Sequence, residues 1–218
     1  MLGVRPGGYV HRLGRAPDPW APPDWAFAGN DGTFGNRFDD PAGTYRVIYA
    51  SSSRLGCFLE TLARFRPDID LLARLSAIAG PNDFVPIGTV PREWADGRVL
   101  GTAEASGTYA AIALAESLPA LRLALAEKAV ELDLVDVDAA VLRLSAPRAF
   151  TQAVSRWIFE TGRFDGIRYF SRYGDDVENW AVFEPFENLR TLGTSPVTFS
   201  DPDLLDALRI HGLSFDEA

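Results

Sequence analysis

The chain has 218 residues, of which 47% are hydrophobic and 23% charged, a composition that suits an ordered domain and excludes wholesale disorder. Its 30 acidic and 21 basic side chains leave a net charge of −9, which opposes the phosphates of nucleic acid and excludes direct, non-specific DNA binding. A single cysteine, Cys57, excludes an intramolecular disulfide, and with only His11 and His211 beside it no structural zinc or other metal is expected.

The chain opens without a basic stretch followed by an apolar one, and no window approaches eighteen uninterrupted apolar residues. A cytoplasmic protein with no membrane segment is expected. Up to residue 40 the sequence is dense in glycine and proline but also holds Tyr9, Trp20, Trp25, Phe27 and Phe34. Rings of that size need packing, so the segment reads as an ordered loop region, unlike a linker.

Residues 44–50 follow the Pro41–Gly43 turn and are β-branched and aromatic, which predicts a strand. A helix is predicted next: Ser51 to Ser53 offer N-caps, Leu55, Phe58, Leu59 and Leu62 repeat at helical spacing, and Pro67 stops the run. A short helix over 69–78, closed by Gly80-Pro81, precedes strands over 84–90 and 98–103. Ser106 to Leu118 and Pro119 to Leu132 are rich in alanine and leucine and predict two helices, the second with proline as its first residue. Residues 139–145 read as a strand or as a continuation of the preceding helix. A helix over 147–161 carries Phe150, Val154, Trp157 and Ile158 on one face and ends before Gly162. Strands over 164–170 and 179–183 flank a polar turn at Gly174-Asp175-Asp176. A last helix, Asp201 to Ile210, is assigned Ser200 as cap and Gly212 as terminator.

Short strands interleaved irregularly with helices predict an α+β fold of mixed, short-stranded sheets with flanking helices. No G-x-G-x-x-G turn and no G-x-x-x-x-G-K-[ST] loop occurs, so the standard nucleotide cradles are excluded.

Three clusters carry candidate chemistry: Gly35-Asn36-Arg37-Phe38 in a loop, Tyr49 at a strand end with Glu60 on the helix behind it, and Tyr169-Phe170-Ser171-Arg172 where a strand becomes a turn. Taken with His11-Arg12-Leu13, Val47-Ile48-Tyr49-Ala50, Phe58-Leu59-Glu60, the run Asp165 to Arg172, and Phe183-Glu184, their order and spacing resemble the RES domain family, named for an arginine, a glutamate and a serine. The resemblance spans about residues 9–185 and is only general over 68–140, within a single RES-type domain of residues 1–218 whose segment 186–218 is a C-terminal extension with a terminal helix.

The resemblance implies an ADP-ribosyltransferase-like fold and an NAD-consuming toxin that cleaves the nicotinamide–ribose bond as a glycohydrolase or phosphorylase. It also implies an Xre-type helix-turn-helix antitoxin as partner, with homo- or hetero-oligomers among the expectations. An ADP-ribosyltransferase acting on a protein, and a catalytically silent binding module, are the alternatives. Carried over position by position, the arginine falls on Arg37, the glutamate on Glu60 and the serine on Ser171, with Arg12 and Tyr49 as accessory positions. One departure is that Asn36 stands between Gly35 and Arg37 where the commoner pattern is Gly-Arg-Phe.

The residue types suit that chemistry. A carboxylate such as Glu60 stabilises an oxocarbenium-like ribose and holds its hydroxyls. Guanidinium forks such as Arg37 and Arg12 grip the phosphates of NAD, and Tyr49 offers a stacking face. Ser171 suits hydrogen bonding to substrate, since no histidine nearby supplies the base a serine nucleophile needs. Outside the resemblance each has an ordinary role: a solvated loop arginine, a glutamate at the margin of an apolar stripe, a turn serine, a core tyrosine. Cys57 reads as a passive thiol and His211 as a complement to a helix C-terminus.

Overall fold

Alternating apolar residues in Val47–Ser51 bury side chains on both faces of a strand, and Ser53, whose hydroxyl accepts the Gly56 amide, starts a helix three residues later. That strand and helix are the centre of the fold. The computed structural model describes residues 1–78, 80, 88–144 and 146–216. In chain order its elements are β1 (Gly3–Val4), β2 (Tyr9–Arg15), β3 (Val47–Ser51), α1 (Arg54–Leu62), α2 (Ile69–Ile78), β4 (Gly88–Val90), β5 (Arg98–Ala105) and β6 (Tyr109–Ala111). There follow α3 (Leu118–Ala124), α4 (Ala126–Glu131), α5 (Ala139–Arg143), α6 (Arg148–Glu160), β7 (Gly166–Phe170), β8 (Glu178–Phe183), β9 (Leu189–Pro196), α7 (Pro202–His211) and β10 (Leu213–Phe215).

Eight strands form one sheet in the order β1-β6-β7-β8-β3-β2-β5-β9, antiparallel except for β6 beside β7. A separate parallel pair joins β4 to β10. The period-two burial of β3 divides the core: Val47 packs with Phe38, Phe150, Val154 and Ile158 under α3 to α6, whereas Ile48 and Ala50 pack with Val10, Trp20 and Trp180 on the opposite face. A third cluster joins Phe58, Leu59 and Leu62 of α1 to Leu204 and Leu208 of α7. Burying each such leucine or phenylalanine contributes roughly 1.5–3 kcal/mol, so α1 is held firmly from below by its apolar stripe. At its start Arg54 bridges Asp201 and, over 3.0 Å, Asp203. At its end His211 Nε2 donates to the Leu59 carbonyl over 2.8 Å.

The α+β class expected from the sequence is the one observed, and several elements differ from expectation for identifiable reasons. The segment read as loop contains β2, which pairs with β5 along its whole length. Residues 106–117 form β6 and turns, where a helix over 106–118 was expected: Tyr109, Ala110, Ala111 and Ile112 are completely buried, with β6 lying between β1 and β7, and that burial overrides the helix propensity of alanine. Residues 139–143 are helical because Asp138 accepts the Val141 amide over 2.8 Å, a cap the strand reading overlooked. The cap of α7 is Asp201 and not Ser200, since the Asp201 carboxylate accepts the amides of Asp203 and Leu204; Gly212 ends the helix in the left-handed region at φ 63°. The predicted strand 84–90 is seen as Gly88–Val90, and residues 84–87 lie outside the described residues. Among the described residues no helix is long and apolar enough to cross a membrane.

Candidate active site

β2 and β3 share one register pair, His11 with Ser51, and part beyond it. A cavity of about 820 Å³ is lined by Leu13, Gly14 and Arg15 on the β2 side and by Val47, Tyr49 and Ala50 on the β3 side. Where a main-chain rung would be expected, the Arg12 side chain crosses the gap: Nη1 donates to the Tyr49 carbonyl over 2.9 Å and Nε to the Pro19 carbonyl over 2.6 Å. Burial lowers the Arg12 pKa from its usual value, partly offset by the fields of Cys57 and Tyr49. In this structure Arg12 is a strut between strands.

The arginine loop is organised around a carboxylate. Asp39 is 3% exposed; its Oδ2 accepts the amides of Phe34 (3.0 Å) and Asn36 (2.8 Å) and its Oδ1 accepts the Tyr49 hydroxyl (3.1 Å). The Tyr49 oxygen in turn accepts the Phe38 amide over 3.0 Å. Burial and the Asp39 charge both push the Tyr49 pKa well above its ordinary value, so it is a neutral hydrogen-bonding post. Gly35 takes φ 80°, a left-handed conformation that favours glycine, and lets the chain turn over Asp39. Asn36 fits this arrangement: its side-chain amide also donates to Asp39, and its carbonyl accepts Gln152 Nε2 over 3.2 Å. The residue that departs from the commoner pattern therefore helps to pin the loop.

Arg37 points inward from that loop. Its guanidinium lies 5.0 Å from the Phe38 ring centre and 5.2 Å from that of Tyr169, and Nη2 donates to the Leu142 carbonyl. Burial lowers its pKa, opposed first by Tyr169 and then by Glu60. Glu60 sits on the exposed side of α1, facing the same cavity, and Asn179 Nδ2 of β8 donates to its Oε1 over 2.8 Å. Asn179 is 1% exposed. Among the described residues its Oδ1 and the Arg37 Nε are buried polar atoms without a hydrogen-bond partner, where most buried polar atoms are paired.

The structure thus brings Arg12, Arg37, Tyr49 and Glu60 to one cavity. Ser171 is not part of its lining: it is 1% exposed, and its hydroxyl accepts the Tyr173 amide over 3.0 Å at the turn after β7. Cys57 lines the cavity at the foot of α1, but burial pushes its thiol up to about 12, which leaves it protonated and inert at neutral pH. Sequence reasoning missed Asn179 and Asp39. An asparagine inside an apolar strand is a signal for the first, because strands are depleted in it, whereas Asp39-Asp40 before Pro41 looks like ordinary turn chemistry.

Comparison with known proteins places these features in context. The family model for the RES domain matches residues 10–200. A chain of the crystal structure of the M. tuberculosis MbcT–MbcA toxin–antitoxin complex is similar in fold, with a TM-score of 0.56 at 12% sequence identity, covering 96% of this chain and 92% of that one. No curated protein matches the sequence. The α+β fold of mixed sheets and flanking helices expected from the sequence is the fold observed, and it is shared with that chain.

Proposed function

The chain belongs to the RES domain family, and from that premise we propose that it is an NAD-consuming enzyme, the toxin of a toxin–antitoxin pair, which cleaves the bond between nicotinamide and ribose. The observation that carries this reading is the Glu60 carboxylate, aimed by Asn179 at 2.8 Å into the cavity that Arg37 also lines. A cavity of about 820 Å³ accommodates a ligand of dinucleotide size, and its wall combines the carboxylates of Glu60, Asp18 and Asp24 with arginine side chains.

In the proposed reaction the C–N bond breaks with its electron pair passing to the nicotinamide nitrogen, which leaves neutral. Positive charge develops on the ribose ring. Glu60 stabilises that charge and accepts a hydrogen bond from a ribose hydroxyl, a preorganised interaction that strengthens as the bond lengthens. Water or inorganic phosphate then adds at the same carbon, and with water one proton is released. The Phe38 and Tyr169 rings keep the Arg37 charge in a fixed place, which suits it to a phosphate or to the developing dipole.

The similarity to a chain of a toxin–antitoxin complex supports a dedicated inhibitor, and a chain of net charge −9 suits one whose own helix-turn-helix module, of Xre type, reaches the DNA. The enzyme would act in the cytoplasm, where NAD is available. Incubation of purified protein with NAD, with and without phosphate, tests the reaction: ADP-ribose marks the hydrolase, ADP-ribose 1″-phosphate the phosphorylase, and ADP-ribosylated protein a transferase. Absence of nicotinamide release in all three overturns the proposal. Co-expression with the neighbouring reading frame tests the partner, with restored growth expected.

A further inference from the structure

β2 and β5 run antiparallel, and their last register pair sets Arg15 opposite Arg98. Like charges directly opposite on a strand pair repel and weaken it. Here they are fixed in place despite that. Arg15 Nη1 donates to the Asp96 carbonyl over 2.9 Å; Arg98 Nη1 donates to the Trp94 carbonyl, and its guanidinium lies 4.8 Å from the Trp94 ring centre. Among the described residues neither arginine has a carboxylate within ion-pair distance. The Arg98 pKa is lowered by burial and by the charges of Arg15 and Arg64, with no acidic group offsetting them. Both Arg15 and Arg98 line the cavity that holds Arg37 and Glu60.

Two cations anchored side by side through one nitrogen each keep their remaining N–H donors for a shared acceptor. An anion between them gains the attraction of both and relieves their mutual repulsion, and in a partly desolvated cavity that preference exceeds anything a single exposed arginine offers. The strut role of Arg12 strengthens the case, because two of its nitrogens are already committed to carbonyls.

We propose that Arg15 and Arg98 form the phosphate subsite of this cavity and grip the diphosphate of the substrate, a task expected of Arg37 and Arg12 from the sequence. This inference rests on the reading of the substrate as a dinucleotide, and the experiment separates the two. Adenosine diphosphate, which has the diphosphate but no nicotinamide, and adenosine are titrated into the full-length protein by calorimetry. Adenosine diphosphate is expected to bind, and adenosine at least about tenfold more weakly, as loss of charge-assisted hydrogen bonds predicts.

Arg15→Gln with Arg98→Gln should lower the affinity for adenosine diphosphate about tenfold or more, leave adenosine unchanged, and keep or raise the unfolding midpoint because a like-charge contact is removed. Arg98→Lys, which preserves charge and strand, should still lose affinity for want of a planar fork. Equal affinity in wild type and both variants, no binding of adenosine diphosphate by the wild type, or NAD turnover with an unchanged KM in the double variant overturns the subsite. Binding that depends on the two arginines in a protein that never releases nicotinamide upholds the subsite and overturns the proposed reaction.

Discussion

Asn179 and Glu60 lie 119 residues apart in sequence and are joined by a hydrogen bond of 2.8 Å between a strand and a helix. The asparagine is buried and the glutamate exposed, so the bond runs from a rigid core position to a side chain that would otherwise sample several rotamers. Fixing a carboxylate this way places its charge before substrate arrives.

Glu60→Gln is therefore expected to lower nicotinamide release by about 10²–10³, the usual cost of one preorganised charge-stabilising group, with no change in the unfolding midpoint. Asn179→Ala should lower kcat less severely than Glu60→Gln and at nearly constant KM, because it loosens the carboxylate without removing it. Steady-state kinetics with a parallel thermal melt distinguishes these outcomes. Wild-type turnover in Glu60→Gln refutes the assignment.

Arg37→Lys preserves charge but loses the planar group that lies over Phe38 and Tyr169 and reaches the Leu142 carbonyl. Affinity for NAD, measured calorimetrically on the Glu60→Gln background, should fall about tenfold or more, since an ammonium reproduces neither the stacking nor the fork. Unchanged affinity means that Arg37 only props the loop.

Ser171→Ala tests a residue singled out by the motifs but set apart from the cavity. Its hydroxyl closes the turn by accepting the Tyr173 amide, so the substitution is expected to cost about 1 kcal/mol of stability. Turnover measured well below the melting temperature should fall far less than in Glu60→Gln. A loss as deep as that of Glu60→Gln would place the serine at the reacting atoms.

His11 provides a test with pH. Its Nδ1 is 3.1 Å from the Thr102 hydroxyl, and burial, followed by the Arg54 charge, lowers its pKa below the ordinary 6.5, with Asp203 opposing. The unfolded chain then binds a proton more readily than the native one, so stability is full above about pH 6.5 and declines as pH falls toward the native pKa. Urea unfolding at fixed ionic strength between about pH 7 and 5 should show this decline, and His11→Asn should flatten it. Identical slopes in the two proteins would exclude His11 as a source.

Local pattern made β3, α1, α6 and β8 legible, because in each the apolar period and the cap or turn agree. β9 escaped notice because it is an exposed edge strand containing Gly193 and Pro196, and only its pairing with β5 makes it a strand. The 139–143 helix and β6 were lost where a buried environment or a single aspartate overrode propensity. In the site, Arg37, Tyr49 and Glu60 could be picked out by motif order. Asn179 reaches Glu60 only through the pairing of β3 with β8, and Arg15 meets Arg98 only through strand register, a long-range fact that no local window contains.

The ties between α1 and α7 bear on how the protein is made. Glu60 emerges from the ribosome well before Asp201 and Asp203, which hold the start of its helix, and before His211, which holds its end. At about 5–20 residues per second the intervening stretch takes roughly 7–30 s to synthesise. Throughout that interval the nascent chain carries the glutamate on a helix lacking its covering layer, so the wall of the cavity that α1 forms is complete only once α7 has been translated. A binder that recognises the assembled cavity has its target only after α7 has been made, and a product that stops short of α7 carries Glu60 on a helix whose ends are no longer tied down.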